Sequence, residues 1–378
     1  MKWLNYIWIA ALLAVTAISI PQCLNSGIDG SLLNMTGKQS ALDPQGPIAH
    51  NQLMIFHVTL WVTVFLFITV GGALAFSIWK FRARKGDDPD YLPPQSHGHP
   101  MVEMGLVMGS AALLVVIAIP TFGGILLKSK PPAEYGEPAL EVNITGYQWW
   151  WGFEYPEEGI HTANELVFPA GKVVKLNLRS NDVIHSFWLP KLAGKTDLVP
   201  GQHNTMWIQA DEPGYFWGQC AEYCGDSHAY MLFRAKALSE EDYAAWLEGQ
   251  KQATVSADGN YTPVDPGQQE DLVLHGAELF KDNCARCHSV DSKVQTMGPN
   301  LAHFGSRSSI AAGWLENEPD NLAHWILHPD QVKPGNFMWN GFPDPNNPGG
   351  PPQMEGLMDA NLTAADAEAL AAYLITLQ

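Results

Sequence analysis

The sequence predicts a multi-domain membrane protein: a two-helix transmembrane hairpin, then a β-sandwich or Greek-key barrel, then a small all-α domain. Three observations carry this. Two stretches, 53–79 and 104–127, contain no Lys, Arg, Asp or Glu. Residues 140–238 break into short runs rich in β-branched and aromatic residues, separated by Gly, Pro, Asn or Asp. Beyond residue 270, apolar residues recur at helical spacing. A chain of 378 residues is long enough for two or three such domains.

At 1.5 Å per residue the two apolar stretches reach roughly 40 and 36 Å, enough to cross a hydrocarbon layer of about 30 Å with some tilt. Their connection opens with Lys80, Arg82, Arg84 and Lys85. Short loops rich in Lys and Arg stay in the cytoplasm, so everything after about residue 130 is expected on the outer side. His57, inside the first span, reads as a packed or interfacial histidine. Residues 3–20 form a third apolar run behind Lys2, fitting the h-region of a signal peptide or a retained anchor. Cys23 is a candidate lipid attachment site, although the preceding "IPQ" departs from the usual small residue.

In the β region the runs are "LEVNITGYQWWWGFEY", "VVKLNLRS", "VIHSFWLP", "NTMWIQA", "GYFWGQC" and "AYMLFRAKAL". Six such runs in about a hundred residues point to a sandwich or barrel. Ser239 with Asp242 marks the start of a short helix. A polar stretch at 251–270 reads as a linker. The final helix starts at Thr363 and Asp366 and places Leu370, Tyr373, Leu374 and Leu377 on one face. The expected divisions are 1–25 for the signal or anchor, 45–130 for the hairpin, 135–250 for the β domain and 271–378 for the helical domain.

Net charge is −18, which argues against nucleic acid as a partner. After residue 250 there are 16 acidic against 6 basic side chains, a balance that would steer cationic partners toward that half.

Four of the five cysteines fall in two pairs. Cys284, Cys287 and His288 spell "CARCH", the C-x-x-C-H spacing of covalent haem c attachment. Both thiols add to the haem vinyl groups, and the histidine faces the iron. A sixth ligand must come from further along, and Met338, Met354 and Met358 are the candidates. The second pair lies in "GQCAEYCGDSHAYM", residues 218–231. Cys220 and Cys224 could form a disulfide, ligate one zinc or bridge two metals. Zinc would have no use for the methionine at 231, whereas thiolate, imidazole and thioether together suit copper. His185 in "NDVIHSFWLP" supplies a second imidazole beside His228. Two bridging thiolates would give each of two coppers one histidine and one weak ligand, Met231 for one and the Glu222 carbonyl for the other.

These motifs resemble subunit II of haem-copper cytochrome c oxidases, of the caa-type with a cytochrome c fused at the C-terminus. "HSFWLP", "GKTDLVPG" and "GQCAEYCGDSHAYM" resemble the dinuclear copper (CuA) domain of that family, and the resemblance runs from about residue 45 to the end. It implies a cupredoxin-like β domain, and His185, Cys220, Glu222, Cys224, His228 and Met231 as copper ligands. "HPDQVKPGNFM" is similar to the stretch of class I cytochromes c that delivers the axial methionine, which selects Met338. "GPN" at 298–300 implies that Pro299 accepts the second imidazole N–H of His288, and Gly276 and Phe280 match the family's approach to the first cysteine. By position, Trp149 matches the tryptophan through which electrons reach the copper pair, and Glu103 the glutamate at the mouth of a proton pathway. The Glu222 carboxylate would meet a magnesium or manganese shared with subunit I. Gln202 stands where the family often has arginine, which leaves charge contacts of that loop open.

The implied function is to take electrons from an external donor at the haem and pass them to the copper pair and on to haem a of subunit I, where oxygen is reduced and protons are pumped. The implied partners are subunits I and III, membrane lipid, and a donor such as a cytochrome c, a copper protein or a cytochrome bc complex. The implied location is a bacterial plasma membrane, with both redox domains outside. A nitrous oxide reductase would need a propeller domain, a copper-delivery protein would not need a haem, and quinol oxidase relatives lack the two thiols.

Overall fold

The computed structural model describes residues 36–88, 91, 92, 94, 95, 97–257, 259–343, 352–357 and 360–378. The signal or anchor segment, Cys23 and Met358 lie outside the described residues.

The two apolar stretches form helices α1 (Pro47–Phe81) and α2 (Pro100–Ser129), both long and apolar enough to cross a membrane. Large apolar side chains such as Trp61, Phe67, Leu106 and Phe122 are exposed along them, as lipid-facing helices require. The helices approach closely at Gly124, where a Cβ would lie 2.6 Å from Asn51 Oδ1 and 2.8 Å from Ile55 Cδ1. His57 is exposed on α1 rather than packed.

The β domain is a sandwich of two five-stranded sheets. Its strands are β1 (Leu140–Tyr147), β2 (Trp150–Tyr155), β3 (Ile160–Ala163), β4 (Glu165–Pro169), β5 (Val174–Ser180), β6 (His185–Trp188), β7 (Thr196–Leu198), β8 (Asn204–Ile208), β9 (Gly214–Cys220) and β10 (Leu232–Leu238). The sheet orders are β3-β2-β1-β5-β8 and β4-β10-β9-β6-β7. The β1–β5 and β4–β10 pairs are parallel and the others antiparallel, the crossed order that a Greek key produces. The run at 140–155 is two antiparallel strands rather than one, with Tyr147 opposite Trp150 across the turn. β3 and β4 lie in "GIHTANELVFP", whose polar interruptions hide the strand signal.

An aromatic cluster fills the space between the sheets. Trp151 meets Phe187 edge-on at 5.4 Å and Phe233 at 5.5 Å, and Phe187 stacks on Phe233 at 4.3 Å. Such pairs add to burial by roughly 0.5–1.5 kcal/mol each. They tie β2 to β6 and β10 across the sandwich, and β9 runs between the latter two with Cys220 opposite Phe187.

Helix α3 (Glu240–Gln250) starts as predicted, the Ser239 hydroxyl accepting from Asp242 N at 3.1 Å. The predicted linker is packed down: Val255 bridges to Pro263, and Thr254 Oγ1 donates to Val290 O at 3.0 Å. The helical domain contains α4 (Glu270–Asn283), α5 (Pro319–Leu327), the short α6 (Pro329–Val332) and α7 (Phe337–Asn340), and α8 (Ala364–Thr376). Thr363 and Asp366 form the full capping box, and Leu370, Tyr373, Leu374 and Leu377 are all buried. Gly276 lets α4 press against the Ala369 carbonyl and Tyr373 Cβ of α8, where no side chain would fit.

Polar contacts join the helical domain to the sandwich. Buried Glu165 on β4 accepts from the backbone N–H groups of Ser308 (2.8 Å) and Ser309 (3.0 Å), and pairs with Lys236 Nζ at 2.7 Å. His161 N donates to Ser292 O at 2.6 Å.

Candidate metal centre and haem crevice

His185 opens β6, Cys220 closes β9, Cys224 lies in the loop that follows, and His228 begins a single helical turn that ends at Met231, just before β10. The loop is pinned to the strands by Ala221 N to Ser186 O and Cys220 N to Met231 O, both 2.9 Å. The six residues predicted to act together thus come from the start of β6, the end of β9 and the loop that follows it.

The two sulfurs are 3.8 Å apart, far beyond the roughly 2 Å of a disulfide, and both cysteines are buried. The donor atoms of His185, Cys220 and Cys224 lie within 4.8 Å of one another. Cys224 Sγ is 3.6 Å from His228 Nδ1 and 3.7 Å from Met231 Sδ, while Cys220 Sγ is 3.2 Å from the Glu222 carbonyl. A hydrogen bond shared with Cys224 pulls the Cys220 thiol downward, and the neighbouring Cys220 sulfur pushes Cys224 upward. Two thiolates at that spacing would repel by roughly 4 kcal/mol at an effective dielectric near 20, so holding both ionised calls for cations between them.

His185 is wholly buried. Its Nε2 pairs with Asp182 Oδ1 at 2.7 Å, which leaves Nδ1 buried without a protein partner. Burial opposes charge on this ring, but Asp182 and Cys220 together outweigh it and the pKa is raised. An orphaned imidazole nitrogen beside two sulfurs fits a metal ligand whose outer nitrogen is held by a carboxylate. Asp182 was not singled out from the sequence; an acid three residues ahead of a candidate ligand was the available signal. Gly146 was also missed: a Cβ there would lie 2.8 Å from His185 Cδ2, so glycine makes room for the ring.

Trp149 Nε1 and Gln148 Nε2 both donate to the Cys224 carbonyl, at 2.9 and 2.8 Å. Trp149 is only 6 % exposed, because the helical domain covers it. Phe337 lies 5.8 Å from its ring, and Lys333 Nζ donates to its carbonyl. Burial lowers the Lys333 ammonium to about 7.

Cys284, Cys287 and His288 line a cavity of about 1130 Å³, larger than the roughly 300–1000 Å³ of ordinary ligand pockets. His288 Nδ1 is 2.8 Å from the Pro299 carbonyl, as expected, and Gly298 gives the ring room, since a Cβ would lie 2.9 Å from its Cε1. Burial lowers the His288 pKa, which favours the neutral ring, the state that ligates iron. Met338 and half-buried Arg307 line the same cavity. Met354 lies against Cys287, with sulfurs 3.3 Å apart. Cavity size, paired thiols and a neutral oriented imidazole fit a covalently attached haem.

Glu222 is exposed at the tip of the copper loop. Glu103 lies in the first turn of α2, its carboxylate folded against Gly98.

A rigid, buried set of soft donors set beside a haem-sized crevice defines an electron-transfer protein, here attached to a membrane hairpin. Family models agree: "Cytochrome C oxidase subunit II, periplasmic domain" matches residues 158–238 and "Cytochrome c" matches 273–378. The chain is 37 % identical to the cytochrome c oxidase subunit 2 of Alkalihalophilus pseudofirmus over 90 % of this chain and 91 % of that one. It is 33 % identical to the cytochrome c oxidase subunit 2 of Bacillus subtilis over 82 % of this chain and 89 % of that one. A quinol oxidase subunit 2 of Bacillus cereus is 30 % identical over 65 % of this chain and 86 % of that one. The chain belongs to the cytochrome c oxidase subunit 2 family. It is a membrane protein that binds copper and haem c and serves as the electron-accepting subunit of a terminal oxidase complex.

Proposed function

We propose that electrons from an external donor arrive at the helical domain, cross at Trp149 to the copper loop, and leave for haem a of subunit I. The observation that carries this is Trp149 itself. It is hydrogen-bonded to the Cys224 carbonyl and faces Phe337, the neighbour of Met338.

In this reading Cys284 and Cys287 would hold a haem covalently, and His288 and Met338 would ligate its iron. His185, Cys220, the Glu222 carbonyl, Cys224, His228 and Met231 hold a dinuclear CuA centre. When bound, the two groups supply one-electron oxidation and reduction. The residues keep their own geometry throughout: Asp182 fixes the His185 ring, Pro299 fixes the His288 ring, and burial of Cys220, Cys224 and Met231 excludes water. A rigid dry site changes little on reduction, so little reorganisation accompanies the electron.

The acidic helical domain suits a donor with a basic face, such as a cytochrome c, a copper protein or a cytochrome bc complex. In the same reading the Glu222 carboxylate, which is exposed, would meet a magnesium or manganese ion shared with subunit I, and Glu103, in the first turn of α2, would open a proton pathway into that subunit. Subunit III completes the partner set, and the redox domains face outward from a bacterial plasma membrane. Metal and haem analysis of the purified chain tests the cofactors: two coppers and one covalent haem per chain are expected, and a single copper would refute the dinuclear site.

A further inference from the structure

Lys333, Pro334 and Gly335 form a turn of the helical domain that is pressed against the copper domain at three successive residues. Lys333 is 4 % exposed, and its Nζ donates to the Trp149 carbonyl and, at 3.5 Å, to Ala311 O. The Pro334 carbonyl accepts from Ser227 Oγ of the copper loop at 2.6 Å. Gly335 has φ +76°, and a Cβ there would lie 2.9 Å from Asp226 Oδ2 and 3.3 Å from Trp149 Cη2. The turn can approach this closely because that position carries no side chain.

The second carbonyl that Lys333 holds belongs to a strained segment. Ala311 and Ala312 have φ of +51° and +59°. The left-handed region costs a non-glycine residue about 1–2 kcal/mol, so two in succession persist only when neighbours over-determine them. Two basic side chains do so here: Lys333 on Ala311 O, and Arg234 of β10 on Gly313 O. Among the described residues Lys333 pairs with no carboxylate, so its buried Nζ is directed to backbone carbonyls on both sides of the joint. A buried amine is costly unless it is well hydrogen-bonded, which makes a merely space-filling role unfavourable.

We propose that Lys333 is a positioning residue for the internal electron transfer: its side chain ties the Trp149 backbone to the Ala311 carbonyl and keeps Phe337 against the Trp149 ring. This rests on the relay proposed above. One electron moves from the helical domain to the copper domain, oxidising the first site by one and reducing the second by one. No bond forms and no proton is transferred, so the residue acts through distance and orientation alone.

The test uses the full chain in its oxidase complex, with Lys333→Met and the milder Lys333→Gln, whose amide N–H can still donate to a carbonyl. Haem content, copper content and the copper near-infrared spectrum are expected to be unchanged, as is reduction of the haem by an external donor. The haem-to-copper step is expected to slow at least about tenfold in Lys333→Met, with partial recovery in Lys333→Gln. Amide hydrogen exchange at 311–313 and 333–338 is expected to rise in step. An internal rate within about twofold of wild type, with unchanged exchange, overturns the proposal. Loss of copper or haem in both variants also overturns it, since Lys333 would then hold a site rather than the spacing between sites. A slowed external reduction with an unchanged internal step overturns it as well, whereas a wild-type complex with no haem-to-copper step would count against the relay itself.

Discussion

The indole N–H of Trp149 donates to the carbonyl oxygen of Cys224 at 2.9 Å, so the tryptophan is bonded to the backbone of a cysteine in the metal loop. The other face of the same ring is covered by the helical domain at Phe337. Replacing Trp149 with Phe keeps a ring but removes the N–H, leaving the Cys224 carbonyl with Gln148 alone. Removing one partner of a buried group costs about 1–3 kcal/mol. Copper content should hold in this variant while haem-to-copper transfer slows at least about tenfold, read by stopped-flow at the copper absorption band.

The thiols are predicted to be non-equivalent to substitution by any other residue. Cys220→Ser and Cys224→Ser each remove one sulfur of the proposed dinuclear site and leave the other buried. Copper per chain is expected to fall from two to one or none, with the haem retained, as measured by elemental analysis and the pyridine haemochrome spectrum. A Cys220→Ser protein that still relays electrons from its own haem at the wild-type rate would refute the site.

Asp182→Asn weakens the hold on His185 Nε2 without emptying the space. Loss of such an outer partner typically lowers metal affinity about 10–100-fold. Competition with a copper chelator should show this, with the sandwich unfolding at its usual temperature.

Gly276→Ala places a methyl group against the Ala369 carbonyl of α8. Neither helix can yield without opening the Phe280–Tyr373 contact, whose ring centroids are 5.4 Å apart. Overpacking of this kind costs about 1–3 kcal/mol. The Soret-monitored unfolding transition should move down, while the copper-band transition should not.

Acid should loosen α8 through its cap. Bonds from the Thr363 hydroxyl and backbone N–H lower the Asp366 pKa below its usual 3.8. A depressed carboxylate stabilises the fold above its unfolded pKa, and the contribution is lost as pH falls through the lower folded value. Asp366→Asn should therefore lower helix stability at neutral pH and flatten its acid limb, the two proteins converging below about pH 4, followed by circular dichroism.

Local pattern made much of this molecule legible. The hairpin, the Ser239 and Thr363 caps, the buried face of α8 and both cysteine motifs depend on residues within a few positions of one another, and each stands where the pattern places it. The turn at Gln148 that divides the tryptophan run, and the strands at 160–169, were not legible. Their pairing partners lie elsewhere in the sheets, and strand propensity there is diluted by polar residues. Asp182 and Gly146 escaped for a related reason, since their worth lies in touching His185 and no motif marks that contact.

By itself the sequence determined what this protein can bind: soft sulfur and nitrogen donors in one loop, two thiols and an imidazole in another, and two spans that attach them to a membrane. Side-chain chemistry and short-range spacing suffice for that. Only the tertiary structure decided how the two sites face each other. The burial of Trp149 beneath Phe337, the seat of Lys333 on the Trp149 carbonyl and the anchoring of Ser308 on Glu165 join residues 143 to 188 positions apart. Contacts at that separation are set by the packing of whole domains, and no local preference encodes them.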